Sequence, residues 1–351
     1  MKGASEKKLI GRNALVDFAT ALLKSGGFGK EYAIQSAELL VWANLRGADS
    51  HGVLRIPRYI EMVELGIVKG NAEPKVKHEF GAICRLDGDL VPGAAGMSIA
   101  AKKAVDLAVK FGIGLCEISR TSHSGAIGYF AEKIAQAGMI GIVMSASKPL
   151  MVYHGARSEG VSTNPVAISA PTGDGRNPLI FDMSTAAVAL GKVLAAKDAG
   201  HPIPRDWGVD AEGVPTTDPG KVKALLPMAG PKGSGLSLMI EVLVSLLGGN
   251  PLISAALSDK KDNGFNGLAI AVNPLAFGLS NPVAQDVASL AQAIKALPPA
   301  AGVEAVFLPG ERGYLMAEKR SAEGIPIAMG TARRLCEEGI KRGVPVPSEL
   351  T

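Results

Sequence analysis

Apolar residues recur every three or four positions through the first part of the chain, which is the spacing of a helix with one buried face. Between residues 13 and 26 this face consists of Leu15, Phe18, Ala19 and Leu22, and Gly26 supplies a stop signal. The same spacing, with Pro57 suited to a first helical turn, predicts further helices over residues 31–45, 57–66 and 100–111. The N-terminal third is therefore predicted to be helical.

From residue 113 the pattern changes to short, continuous apolar runs, which are typical of buried strands. These runs predict strands at residues 113–119, 139–145, 166–169, 179–181, 268–272 and 305–308. Helical spacing returns between them at 126–137, 184–197 and 235–247, and again in the tail at 312–342 with a break at 324–326.

This order of elements predicts an α/β fold with a mixed sheet. We expect residues 113–311 to form a mixed α/β domain. We expect residues 1–112, together with 312–351, to form a helical domain that encloses it, built from both chain termini.

Composition narrows the range of functions. Of the 351 residues 47% are hydrophobic and 20% charged, with a net charge of +4, which indicates a globular chain with a sizeable core. No run of like charges suggests a nucleic acid or a membrane as partner, whereas a pocket for a small anion fits. The three cysteines lack metal-ligand spacing, and the first residues carry no apolar signal segment. We therefore expect no metal site and a cytoplasmic location.

The chain has no G-x-G-x-x-G segment, so the usual dinucleotide fingerprint is missing. Two other segments could bind a phosphate at a helix start. Asp182–Thr185 follows a predicted strand and is expected to open a helix, and Gly230–Gly235 adds the positive charge of Lys232. Both segments can also be ordinary junctions between elements.

Two of the five histidines stand out by their surroundings. His51 lies in a predicted turn after Ser50 and is followed by Arg55, which could grip a carboxylate, and by Tyr59. His123 lies between a predicted strand end and a helix start, where site residues are common. Either imidazole could act as a proton acceptor or donor near neutral pH.

Six segments in the order of the chain resemble the malate/L-lactate dehydrogenase type 2 family. Their motifs are DSHGVLRIPRY at 49–59, SRTSHSGAIGY at 119–129, GVSTNP at 160–165, DMST at 182–185, LLPMAGPKGSGLSLMIE at 225–241 and PGER at 309–312. The motifs span nearly the whole chain, and two of them are most similar to the ureidoglycolate dehydrogenase branch.

The resemblance implies an enzyme that binds NAD or NADP in a non-Rossmann fold around a mixed sheet and works as a homodimer. It implies hydride transfer at C2 of a small 2-hydroxy or 2-oxo carboxylic acid of the malate, lactate, ureidoglycolate or sulfolactate type. By motif match, the proton acceptor or donor is His123 in one branch and His51 in another, and Arg55 is a carboxylate anchor. The positions that match cofactor contacts are Ser147, Asp182, Met183, Ser184, Lys232, Gly310, Glu311 and Arg312.

Two departures from the ureidoglycolate dehydrogenase pattern leave the substrate open. Lys148 stands where that branch has an acidic residue, and Ser234 stands where it has tyrosine. We group Lys148 with Ser50, Arg55 and Tyr59 as candidate substrate-binding residues. An alternative function is reduction of a cyclic imino acid such as Δ1-pyrroline- or Δ1-piperideine-2-carboxylate. A non-catalytic binding protein is a more remote alternative, because it would have no need of these polar groups.

Overall fold

The computed structural model describes residues 7–173, 175–198, 200–258 and 264–351. Within them the helices are α1 (Arg12–Ser25), α2 (Lys30–Leu45), α3 (Ile56–Glu64), α4 (Gly93–Phe111), α5 (Gly128–Gln136), α6 (Leu190–Asp198), α7 (Pro231–Glu241), α8 (Ile253–Ala256), α9 (Val283–Lys295), α10 (Glu311–Glu323) and α11 (Met329–Arg342). A π-helical turn, Val242–Leu246, continues α7.

The described strands are β1 (Lys7–Ile10), β2 (Lys75–Phe80), β3 (Ile83–Val91), β4 (Ile113–Thr121), β5 (Ile140–Ala146), β6 (Met151–Val152), β7 (Glu159–Val161), β8 (Val166–Ala170), β9 (Leu179–Met183), β10 (Gly208–Val209), β11 (Ala224–Leu225), β12 (Phe265–Val272) and β13 (Ile325–Ala328). Seven of them form the main sheet, in the order β2-β3-β4-β12-β5-β8-β9. Among the described strands of this sheet, β3 and β4 pair in parallel and the other neighbours are antiparallel, so the sheet is mixed and the fold is α/β, as predicted.

The largest core lies between one face of this sheet and helices α4 and α5. Strand residues that point to this face alternate along the chain, as Cys84 and Leu86 do in β3 and Cys116 and Ile118 do in β4. Alanines spaced along α4 meet them, which allows the helix to pack closely on the strands. This face therefore fixes the loops at the ends of β4 and β5, where several candidate site residues lie.

A second core joins the two ends of the chain. Helices α1, α2, α3 and α11 pack around the two-stranded sheet formed by β1 and β13, in which Lys7 pairs with Ala328. The chain termini therefore pack together, whereas β2, β3 and α4 pack with the main sheet. The division at residue 112 remains a proposal.

Three predictions about elements were wrong. The N-terminal third is not wholly helical, because residues 75–80 and 83–91 form the hairpin β2–β3. Residues 305–308 form no strand in the described structure. The adjoining Pro309 O accepts a hydrogen bond from Ile180 N in the edge strand β9, and residues 305–308 line a cleft. The helix expected from residue 184 begins at Leu190, because residues 185–187 bond to the 226–228 segment.

Among the described residues, no helix combines the length and the apolar character that crossing a membrane requires.

Candidate active site

His51 lies in a turn between α2 and α3 that is made of two short 3₁₀ segments. Asn44, near the end of α2, holds both sides of this turn. Its Nδ2 donates to Asp49 Oδ1 over 2.7 Å, and its Oδ1 accepts from Val53 N over 2.8 Å. Gly52 is required between them, because a Cβ atom there would lie 2.2 Å from Asn44 Oδ1.

The surroundings of His51 keep its ring neutral. Ser50 Oγ lies 2.9 Å from His51 Nδ1, and Arg55 Nε donates to Ser50 O over 2.8 Å. Burial, with the positive charge of Arg55 as a second cause, lowers the pKa of His51 from 6.5 to about 4. His51 is therefore uncharged near pH 7, and its Nε2 is left for another partner.

His123 lies in the loop between β4 and α5, as predicted. The hydroxyl of Tyr59 in α3 lies 2.7 Å from His123 Nδ1. The ring of Phe265 meets the imidazole edge-on, with centroids 5.9 Å apart and planes at 85°. Burial, followed by the charges of His51 and Arg55, holds the pKa of His123 well below 6.5. His123 is therefore also neutral near pH 7.

The two imidazoles stack on each other, with ring centroids 5.5 Å apart and planes at 23°. In both rings Nδ1 has a hydroxyl partner, Ser50 for His51 and Tyr59 for His123. A charge on one ring disfavours a charge on the other. The pair can therefore take up or release one proton at a time, through Nε2, from a neutral resting state.

Tyr59 is buried, with 8% of its surface exposed, and burial raises the pKa of its phenol well above 10. Its hydroxyl is engaged with His123. A role in holding the His123 ring follows from this contact, while the predicted contact of Tyr59 with substrate remains a prediction.

Ser147, which follows β5, is held against the elements that carry other predicted cofactor residues. Its backbone N donates to Asn164 Oδ1 over 3.2 Å, and its Oγ lies 2.6 Å from Ser162 Oγ. Asn164 Nδ2 in turn donates to Ser237 O in α7, over 3.1 Å. Asn164 therefore links Ser147 to α7, the helix whose first turn contains Lys232.

Ser184 and Thr185, which follow β9, contact the segment that carries Asn164 and the turn that precedes α7. Ser184 Oγ donates to Thr163 O over 3.1 Å, and Thr185 O accepts from Met228 N over 2.9 Å, in the turn that leads to Lys232. Thr185 Oγ1 is buried, and the described residues give it no hydrogen-bond partner. Such an orphaned hydroxyl is what a polar ligand can satisfy.

The predicted anion site at two helix starts needs correction. Residues 182–185 open no helix, since α6 begins at Leu190. Helix α7 does begin at Pro231, but this proline has no N–H, and the amides of Lys232 and Gly233 already donate to the preceding turn. The positive charge at this site therefore comes from the Lys232 side chain rather than from free helix amides.

A cleft of about 730 Å³ opens beside Asp182 and includes Gly310 and Arg312. Asp182 Oδ2 accepts from Gly128 N, at the start of α5, over 3.0 Å. Burial raises the pKa of Asp182 from 3.8 to about 6. The guanidinium of Arg312 lies 4.4 Å from the ring centre of Phe307, another lining residue. The cleft thus combines aromatic, acidic and basic groups.

Two predicted cofactor residues have partners within the chain, and their contact with a cofactor remains a prediction. Glu311 accepts from Leu308 N over 2.8 Å and from Lys295 Nζ over 2.6 Å, and Met183 packs against the core on the second face of the sheet. Lys148 is exposed on the segment after Ser147.

The cleft is lined in part by residues that are close in sequence to the two histidines. Ala48 and Ala126 line it, and they lie three residues before His51 and three residues after His123. On the other side, Ser124 Oγ lies 3.4 Å from Ser145 Oγ, two residues before Ser147. The loops that carry the two histidines therefore also contribute to the cleft that Asp182, Gly310 and Arg312 line, and contact between the histidines and a cofactor remains a prediction.

Four neighbours of the site escaped the sequence analysis: Asn44, Arg46, Phe265 and Arg320. Arg46 donates to Gly310 O over 3.0 Å, and its guanidinium lies 4.0 Å from the ring centre of Tyr314. These residues stand in ordinary helix and strand patterns, so only the motif segments nearby could have drawn attention to them.

Comparison with known proteins gives one consistent result. The family model described as malate/L-lactate dehydrogenase matches residues 10–336. The ureidoglycolate dehydrogenase (NAD(+)) of Escherichia coli K12 is 38% identical over 324 residues, which cover 91% of this chain and 92% of that protein. A malate dehydrogenase from Entamoeba histolytica superposes with a TM-score of 0.90 at 25% identity, covering 97% of this chain and 100% of that one. The Δ1-piperideine-2-carboxylate reductase of Pseudomonas syringae pv. tomato superposes with a TM-score of 0.84 at 32% identity, covering 94% and 99%.

Proposed function

Since the chain belongs to the malate/L-lactate dehydrogenase family, we propose that it transfers a hydride between a nicotinamide cofactor and C2 of a small 2-hydroxy carboxylic acid. The observation that carries this proposal is the stacked, neutral pair of His51 and His123 beside Arg55, on loops whose residues Ala48 and Ala126 line a large cleft. Such a pair provides the proton acceptor that oxidation of a hydroxyl requires.

Arg55 is proposed to bind the substrate carboxylate. Its Nε is committed to Ser50 O, and the described residues give its two terminal nitrogens no hydrogen-bond partner. Two parallel N–H groups match the two oxygens of a carboxylate. Because Ser50 also contacts His51, the anchored substrate would lie within reach of the histidine pair.

The substrate hydroxyl proton is proposed to move to Nε2 of one of the two histidines during oxidation and to return from it during reduction. To accept at Nε2, a neutral imidazole must carry its hydrogen on Nδ1. Ser50 and Tyr59 can each accept that Nδ1–H. Separate substitutions of His51 and His123 decide which of the two carries the proton.

Three of the predicted cofactor residues, Asp182, Gly310 and Arg312, line the cleft. We propose that Ser147, Asp182, Ser184, Lys232, Gly310 and Arg312 hold a dinucleotide, in a mixed-sheet domain of the non-Rossmann kind. The orphaned hydroxyl of Thr185 and the aromatic rings that line the cleft support this proposal. When bound, the nicotinamide ring supplies the hydride acceptor or donor. A related protein is named for NAD(+), and NAD is the cofactor that we propose first, with NADP as the alternative.

Turnover of a panel of 2-hydroxy acids with NAD and NADP, followed at the nicotinamide absorbance, tests the proposal. We expect His123→Gln or His51→Gln to lower kcat by about 10²–10⁴-fold, because general acid–base catalysis contributes that much. Binding of NADH should stay nearly unchanged. Full turnover in both variants would remove the histidine pair from the mechanism.

Reduction of a cyclic imino acid is a second candidate, because a reductase of Δ1-piperideine-2-carboxylate shares this fold at a TM-score of 0.84. The same panel should include cyclic imines and 2-oxo acids, each with NADH and NADPH. Faster reduction of the imines would favour this second function.

A further inference from the structure

We propose that Arg320 is a positioning residue that fixes the His51 turn relative to the cofactor cleft. No motif or resemblance pointed to this residue. The proposal deepens the proposed function and rests on it for the role of His51.

Arg320, near the end of α10, grips Asp49 with both arms of its guanidinium. Its Nη1 lies 2.7 Å from Asp49 Oδ1 and its Nη2 lies 3.1 Å from Asp49 Oδ2. The Arg320 side chain is only 12% exposed, and Nη1 also donates to the backbone O of Asn44. A two-armed contact of this kind fixes orientation as well as distance.

Asp49 links the Arg320 contact to His51, because both residues belong to one short helical segment. It begins the 3₁₀ segment that ends at His51, and Asn44 donates to the same Asp49 oxygen over 2.7 Å. Asn44 also holds the far side of the turn through Val53 N. The turn is thus gripped from α10 through Arg320 and from α2 through Asn44.

The other end of α10 lies at the cofactor cleft. The helix starts directly after Gly310, which lines the cleft together with Arg312 and Gly313. Arg46, from α2, donates to Gly310 O over 3.0 Å. Helix α10 therefore connects the cleft to the His51 turn as a single rigid element, with Arg320 as its contact to the turn.

Two measurements test this role. In Arg320→Ala we expect kcat/KM for the 2-hydroxy acid to fall about 10²-fold, the loss expected when a reacting group shifts by about 1 Å. The Kd for NADH, measured by fluorescence titration, should change much less. Arg320→Lys should recover only part of the loss, because an ammonium cannot make the two-armed contact.

The second measurement is an NMR titration of His51, a signal that a loss of stability alone would not move. His51 faces Arg55, His123 and Ser50. A displaced turn separates it from these groups and exposes it to water. Its pKa should then rise from about 4 toward 6.5 in Arg320→Ala.

Arg333→Ala is the matched control, since Arg333 is 77% exposed on α11 and pairs only with Glu337 among the described residues. The proposal is overturned if Arg320→Ala leaves the His51 titration unchanged, whether or not the melting temperature falls. If the wild type turned over no 2-hydroxy acid, the proposed function would fail, but the titration would still decide whether Arg320 holds the turn.

Discussion

At the scale of single residues, the candidate site contains two histidines, and a hydroxyl group lies within hydrogen-bond distance of Nδ1 in each. The sequence placed both histidines in loops between elements, and the structure confirms those positions. The sequence could not show that their rings stack, because residues 51 and 123 lie 72 positions apart and meet only in the tertiary structure. The contact of Tyr59 with His123 has the same origin.

The lowered pKa values predict an unusual pH dependence. A proton acceptor works in its neutral form, so the acid limb of kcat/KM for oxidation should lie below pH 6.5, toward the value of about 4 for His51. In reduction the protonated form is needed, and the rate should keep rising as the pH falls from 7 toward 5. His78→Gln is the control, since His78 is exposed on β2. An acid limb at or above pH 6.5 would contradict the prediction.

Tyr59→Phe should weaken catalysis through His123. The variant removes the hydroxyl that lies 2.7 Å from Nδ1, so that the ring loses the partner that sets its tautomer. We expect kcat to fall by about 10-fold or more, because His123 becomes charged when it accepts the proton and a hydrogen bond to a charged group contributes about 1.5–3 kcal/mol. Tyr32→Phe is a matched control, because the Tyr32 hydroxyl donates to Ala72 O away from the histidines. Equal kcat in the two variants would remove the role of Tyr59.

At the scale of elements, periodicity predicted most helices and strands, but it failed where the partner of a segment decided its conformation. Residues 305–308 are apolar enough for a strand, yet they lie along a cleft instead of in a ladder. Residues 184–189 follow a helical pattern, yet Thr185 and Ala187 bond to the 226–228 segment. The hairpin β2–β3 was missed because its first strand is exposed along its whole length.

Gly52 gives a prediction at this scale. In Gly52→Ala the new Cβ would lie 2.2 Å from Asn44 Oδ1, so Asn44 must move and give up its bonds to Asp49 and Val53. We expect the free energy of unfolding to fall by about 1–3 kcal/mol, the cost of leaving buried polar groups unpaired. Gly330→Ala, in α11 with open space around it, should be neutral or slightly stabilising. Similar urea midpoints for both variants would refute this account of the turn.

At the scale of the whole molecule, α7 and its π-helical extension leave a row of apolar side chains uncovered. Leu236, Met239, Leu243, Leu246 and Leu247 are 37–63% exposed. The homodimer that the family resemblance implies remains a prediction, and we expect a second copy of the chain to cover this face. Patches of this kind commonly mark protein interfaces.

The dimer proposal is tested by a charge on this face. The wild type should have twice the chain mass of 36.1 kDa by light scattering after size exclusion. Met239→Asp should shift it toward the monomer, because an aspartate is costly to bury unpaired. Ile340→Asp is the control, since Ile340 is 77% exposed on α11. A monomeric wild type, or dissociation only by Ile340→Asp, would overturn the assignment of this face.

The sequence by itself determined the α/β class and the positions of both histidines in loops, because these depend on the local spacing of apolar residues. It also determined the family, because the family is identified by short motifs. Only the tertiary structure decided which side chains meet. Asp49 and Arg320 lie 271 positions apart, and Tyr59 and His123 lie 64 apart. Local periodicity predicts which face of an element is buried, but it does not predict which other element packs against that face. Three features therefore depend on how the elements pack: the stacked rings, the hydroxyl groups that contact Nδ1, and the contact of Arg320 in α10 with the His51 turn.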